Sequence, residues 1–180
     1  HYTHPSDRPP TALARMNPEQ RAAWDAAYGP KNKKMLEADF TPKEMAQWRY
    51  QRYIKDYLRC ITSVDENIGR LLDYIEENNL MENTVVIYAS DQSFYLGEHG
   101  WYDKRWMFEE SFRMPLIMHW PGVTKPGSRI EQFVQNIDYA PTFCEIAGIS
   151  PPYNMQGESL KTIIDNPQAP WREDVYYHYY

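Results

Sequence analysis

No run of apolar residues in this sequence approaches the roughly 20 that a membrane helix needs, and no charged-then-apolar leader opens it. The chain reads as soluble, without a membrane span. It has no surplus of basic residues. Lys and Arg total 19 against 25 Asp and Glu, a formal charge of -6. Sequence-independent nucleic-acid binding needs a basic surface to displace counterions, so nucleic acid is excluded as a partner, although a local basic pocket stays possible. There are only two cysteines, Cys60 and Cys144, and they lack the partner spacing of a zinc ribbon or a redox CxxC motif. There is no internal repeat and no low-complexity tract. What is present is an ordinary core composition, 42% hydrophobic and 24% charged over 180 residues, with 15 tyrosines and six tryptophans. Aromatic rings with polar edges suit both cores and surfaces that meet sugars.

Local patterns divide the chain. The first sixteen residues mix proline and polar types without a period and read as irregular. Asn17, Pro18 and Gln20 form a helix-start signature, and Gly29-Pro30 is expected to stop that helix. Thr41, Pro42 and Glu44 repeat the start logic as a capping box. The long helix that follows carries Tyr57, Ile61, Val64, Ile68, Leu71 and Ile75 at steps of four and three, the spacing of one buried face, and Asn78-Asn79 closes it. Thr84–Ser90, "TVVIYAS", is β-branched and unbroken, as expected of a strand covered on both faces, and Pro115–Trp120 is the next strand-like run. Asp138 is placed to cap a short helix that Gly148 ends. "PPYNMQGESLKTIIDNP" reads as a loop with one helical turn, and the closing "DVYYHYY" as a strand. A chain ending inside an apolar strand suggests part of something larger.

Asp91-Gln92 follows directly on the first strand, where ligands collect in open α/β sheets, and its all-oxygen donors suit calcium or magnesium better than zinc. The competing reading is an Asp that merely caps the next turn. Lys104 is either a solvated loop lysine or an anion ligand. His99 either faces a substrate or holds its loop by bonding a backbone carbonyl. Arg105 is expected to bind Glu109 or Glu110, which are read as structural because adjacent side chains point apart. Arg113 is expected in a buried ion pair. Tyr50, Tyr53 and Tyr57 read as helix packing rather than a sugar platform.

Ser90-Asp91-Gln92, the loop Gly97 to Gly100, Lys104, Phe108-Glu109, Arg113-Met114-Pro115 and "HWPG" ending at Gly122 stand in an order that resembles the sulfatase family, and the flanks agree over roughly residues 45 to 180. The resemblance implies an α/β, alkaline-phosphatase-like mixed sheet flanked by helices and present only in part. It divides the chain into an irregular and helical lead-in over 1–41 and the C-terminal part of the catalytic domain over 42–180. It implies Asp91 and Gln92 as calcium ligands, Lys104 holding a sulfate oxygen, and His99 as a candidate catalytic group. The implied function is hydrolysis of a sulfated carbohydrate ester, glycan or glycosaminoglycan, by a secreted, periplasmic or lysosomal enzyme. The rival readings are a non-catalytic glycan-binding remnant and a phosphoryl or phosphonate hydrolase of the same fold.

The family's formylglycine nucleophile comes from a Cys/Ser-x-Pro-x-Arg motif, and neither Cys60 nor Cys144 lies in one. The paired N-terminal aspartates and the lysine and histidine pairs of the family's middle segment are also missing, and His1 and His4 are not assigned to them. The remainder of a sulfatase chain is therefore an expected partner, and the 180 residues alone are expected to be inactive. Ser93 stands where the family places Gly, so a positive φ there would strain it.

Overall fold

The computed structural model describes residues 13–178. Most of the first sixteen residues, with His1 and His4, and the last two tyrosines lie outside them. Two compact units result, His1–Asn67 and Ile68–Tyr180.

In the first unit, helix α1 spans Pro18–Glu37 and opens on the capping box that its sequence encodes. The Asn17 side chain accepts from the Gln20 N–H at 2.8 Å, and Gln20 returns the bond to the Asn17 N–H at 3.1 Å. Gly29-Pro30 does not stop it; Pro30 lies inside the helix. The missing N–H and the ring clash of an interior proline are offset by side-chain contacts on either side of it. Trp24 and Tyr28 stack at 5.2 Å, Met35 is buried, and Asn32 accepts from Arg52 at 3.1 Å.

Helix α2 spans Pro42–Glu77 and starts at the Thr41–Glu44 box, where Glu44 accepts from the Thr41 N–H at 2.9 Å and from its hydroxyl at 2.7 Å. Asn79 ends it with φ 56°. The N–H groups of Asn79 and Leu80 reach back to the carbonyls of Glu76 and Ile75, both at 2.9 Å, a Schellman closure. The predicted apolar stripe is there as a helical face, but only Ile75 on it is buried. Ile61, Val64 and Leu71 are 47%, 50% and 57% exposed.

In the second unit, β1 (Val86–Ala89) pairs antiparallel with β2 (Leu116–His119), with Ala89 opposite Leu116. The C-terminal end of β1 thus meets the N-terminal end of β2. Val86 and Ile87 are half-buried and Tyr88 and Ala89 exposed, so β1 is not covered on both faces among the described residues. Between the strands lies the one-turn helix α3 (Glu109–Phe112). Helix α4 (Tyr139–Ile146) ends in a second Schellman closure at Gly148, φ 68°, and α5 (Lys161–Asp165) is the expected helical turn.

Two expectations fail here. Asp138 makes no side-chain cap to α4. It is fully buried and instead receives a two-pronged ion pair from Arg172, with Nη2 donating to Oδ1 at 2.7 Å and Nη1 to Oδ2, plus the N–H groups of Gln135 at 2.8 Å and Glu158 at 3.0 Å. The closing segment is no strand over its described residues. Tyr177 donates its hydroxyl to the Arg105 carbonyl and sets its ring edge-on to Phe112 at 5.1 Å, so this tail is held by side chains rather than a ladder.

Candidate active site

The turn after β1 decides between the two readings of Asp91. Ser90 makes the local bonds, its hydroxyl donating to the Gln92 carbonyl at 2.6 Å and accepting from the Gln92 N–H at 3.4 Å. Asp91 therefore does not serve as the turn's cap. Its carboxylate is exposed, and neither it nor the half-buried Gln92 amide takes a hydrogen bond or ion pair from the described residues. Asn136 pins the Asp91 backbone from the other side, donating to its carbonyl at 2.9 Å. Ser93 has no positive φ, since Asn79 and His99 are the only non-glycine residues that do among those described. Serine is unstrained there.

The loop beyond is a closed ring of backbone bonds. The N–H of Tyr95 reaches the Asp103 carbonyl at 2.7 Å and that of Gly97 the Trp101 carbonyl at 2.9 Å. Tyr95 is completely buried and donates its hydroxyl to the Trp106 carbonyl at 2.5 Å, which ties the ring to the segment that follows. Lys104 sits on this frame. Its carbonyl accepts from the buried Ser111 hydroxyl at 2.5 Å and its N–H donates to the Asp103 carboxylate at 2.7 Å. The half-buried Lys104 ammonium has no acid within ion-pair distance among the described residues. A lysine with a fixed backbone and an unpaired head can take an anion as a compact point charge.

Arg105 takes Asp103 as its partner, at 2.5 Å, rather than Glu109 or Glu110. The dipeptide spacing brings the guanidinium back over the same turn, a shorter reach than to α3. His99 bonds no backbone carbonyl. Its Nε2 lies 3.2 Å from both oxygens of Glu110, and its ring stacks on Phe108 at 4.4 Å. Its φ of 56° is a left-handed backbone, and this aims the ring across the loop. The Glu110 carboxyl sits below its ordinary value, held there first by a backbone N–H and then, against some desolvation, by His99. Arg113 is exposed and forms no ion pair among the described residues, because the one-turn α3 ends at Phe112 and turns it outward. The buried pair is Arg172 with Asp138, which the sequence conceals by a separation of 34 residues.

No three His, Cys, Asp or Glu side chains gather into a metal cage among the described residues. Asp91 and Gln92 offer oxygen donors of the hard kind, so the donor chemistry fits calcium while the donor number is short of the roughly six to eight it takes.

The C-terminal family model of N-sulphoglucosamine sulphohydrolase matches residues 97–180. The chain is 46% identical over 169 residues to an N-acetylglucosamine-6-O-sulfatase of Bacteroides thetaiotaomicron, a match that takes in 92% of this chain and 30% of that protein. Over most of its length, then, this chain is similar to members of the sulfatase family. An arylsulfatase of Clostridium perfringens is 32% identical over 67% of the chain and 26% of its own length. Among solved structures, BT4656 in complex with its substrate D-glucosamine-2-N,6-O-disulfate superposes with a TM-score of 0.88 at 44% identity, covering 97% of this chain and 36% of that one. A phosphonate monoester hydrolase from Silicibacter pomeroyi gives 0.65 at 28% identity, over 74% and 26%. The fold is thus a part of the alkaline-phosphatase-like α/β fold of sulfatases, and the chain spans about a third of these relatives' length.

Proposed function

We propose that these residues form one side of the active site of a sulfuric ester hydrolase whose substrate is a sulfated carbohydrate, with a glucosamine sulfate as the favoured class. The observation that carries this is the contrast within one loop system. Asp103, Arg105, Glu110 and Ser111 are all paired, while the Asp91 carboxylate, the Gln92 amide and the Lys104 ammonium stay free at the end of β1 and on the loop beyond it. The similarity to an N-acetylglucosamine-6-O-sulfatase, and to a structure in complex with a glucosamine disulfate, supports this choice of sugar.

In this reading Asp91 and Gln92 supply two of the ligands of a calcium ion, the rest coming from the remainder of a sulfatase chain. The ion, when bound, neutralises charge on a sulfate oxygen. Lys104 holds a second sulfate oxygen and offsets the charge that grows on it as the ester bond breaks, without moving a proton. His99, kept in place by Glu110 and by Phe108, donates a proton to the leaving sugar oxygen. The formylglycine nucleophile belongs to the same remainder. A secreted, periplasmic or lysosomal site of action goes with a polymeric glycan substrate.

The test is sulfate release from glucosamine 6-sulfate by the natural protein that carries this chain. Lys104→Ala is expected to lower kcat roughly a hundredfold or more, the scale for losing one charge-stabilising donor. Near-normal turnover would overturn the role of Lys104. Because a phosphonate monoester hydrolase shares the fold, a phosphonate monoester is assayed alongside; preference for it would overturn the sulfatase reading in favour of that activity. Absence of turnover on either would leave a glycan-binding remnant.

A further inference from the structure

The first unit holds a feature that the site above does not use. A cleft of about 310 Å3 is lined by Lys31 of α1 and by Trp48, Gln51, Arg52, Lys55 and Arg59 of α2. Four of these six residues are cations and none is an acid, on a chain whose formal charge is -6. Position accounts for the gathering: residues 48, 51, 52, 55 and 59 recur at three and four, so they share one face of α2. Like charges so close repel one another, and a fold keeps them together at a cost that a bound anion removes.

The cleft has a built floor. The Arg52 side chain is 9% exposed, donates to Asp56 at 3.3 Å and to Asn32 at 3.1 Å, and lies over the rings of Tyr28 at 4.6 Å and Trp48 at 5.7 Å. Lys31 stands over the same Tyr28 ring at 5.1 Å. Among the described residues Asp56 is the acid paired with this charge, and it is spent on Arg52 and on Arg59, the latter at 2.5 Å. Lys55 has no ion-pair partner among the described residues.

We infer that this cleft binds a sulfated saccharide, its sulfate taken by Lys55, Arg59 and Lys31, its hydroxyls by Gln51 and its apolar ring face by Trp48. The volume suits one or two sugar rings, at the small end of ligand sites. A nucleic acid would need a far more extended basic track than one cleft on an acidic chain. The saccharide class rests on the proposed function; the anion site rests on the cleft.

The experiment titrates the natural protein with a fully sulfated heparin tetrasaccharide, the same tetrasaccharide after desulfation, and inorganic sulfate. Circular dichroism confirms that Lys55→Ala/Arg59→Ala and the charge reversal Lys55→Glu fold. The double variant is expected to lose about tenfold in affinity for the sulfated tetrasaccharide, with a shallower salt dependence, and Lys55→Glu at least as much. Turnover of glucosamine 6-sulfate is expected to stay unchanged in both. Unchanged affinity, an equal loss for the desulfated ligand, or inorganic sulfate binding as tightly as the tetrasaccharide would each overturn the inference. Failure of the sulfatase reading shows separately, as a wild-type protein that binds the tetrasaccharide but releases no sulfate.

Discussion

Asp138 shows how much one buried charge can depend on its partners. Burial by itself would raise its carboxyl, but the two-pronged Arg172 pair and the N–H groups of Gln135 and Glu158 outweigh it and hold the group below its ordinary value of 3.8. A carboxyl depressed in the fold adds stability that is complete above its unfolded value and is lost as pH falls through the folded one. The stability gap between wild type and Asp138→Asn, read from urea midpoints, is therefore expected to be constant near neutrality and to close as pH falls below about 3.8. A gap independent of pH would contradict the ion pair. Arg172→Ala, which strands the buried carboxylate, is expected to cost about 3–5 kcal/mol at pH 7. Gly157 is the second sensitive point, because a Cβ there would lie 2.0 Å from the Ile137 carbonyl oxygen, on the backbone beside Asp138. Gly157→Ala must push that backbone aside, and a loss of about 1–3 kcal/mol is expected in the same unfolding measurement. Neither residue announces itself in the sequence. Asp138 sits one residue before a helix, so local pattern makes it a cap; its real partners lie 20 and 34 residues away, and only packing brings them in. A motif singles out Asp91, Gln92 and Lys104 as candidates, and the structure leaves all three unpaired among the described residues; the partners of His99 and Arg105 were not legible, since loop curvature decides those.

Local chemistry settles where the helices begin and end more than where they are interrupted. Both capping boxes and both Schellman closures follow from a few adjacent residues, so they can be read directly. The left-handed Asn79 gives a clean test. A residue with a Cβ and no amide is penalised there by about 1–2 kcal/mol, and glycine is not. Asn79→Gly is expected to leave the melting temperature unchanged or raise it, while Asn79→Ala lowers it; the reverse order would show that the amide itself holds the turn. Pro30 is the contrary case. Its intrinsic penalty is about 3 kcal/mol, enough to end an isolated helix. The Trp24–Tyr28 stack before it and the Asn32–Arg52 bond and buried Met35 after it lie on one continuous helix, and contacts across tens of residues are invisible to a dipeptide signal.

For the molecule as a whole, burial is the quantity that the helix period and the strand composition predicted wrongly. Ile61, Val64 and Leu71 have the spacing of a core face and are 47–57% exposed, and Leu58 and Tyr74 on the same helix are exposed as well. In the second unit β1 is likewise half-buried to exposed where its unbroken apolar run fits a strand covered on both faces, and among the described residues it pairs with β2 alone. Exposed apolar side chains such as Ile61 and Val64, on a chain that spans 30% of its Bacteroides relative, are what we propose the remainder of a sulfatase covers. It follows that the 180 residues by themselves should self-associate and bind a hydrophobic dye, and that Ile61→Glu/Val64→Glu should make them more soluble with little change in helix content. The same pair of substitutions in the natural protein should have the opposite effect, burying two unpaired carboxylates and lowering its melting temperature. Sizing chromatography and dye fluorescence on the chain, with thermal unfolding of the natural protein, check both halves. A monodisperse, dye-silent chain, or a natural protein indifferent to the two glutamates, would mean that this face meets water in the natural protein.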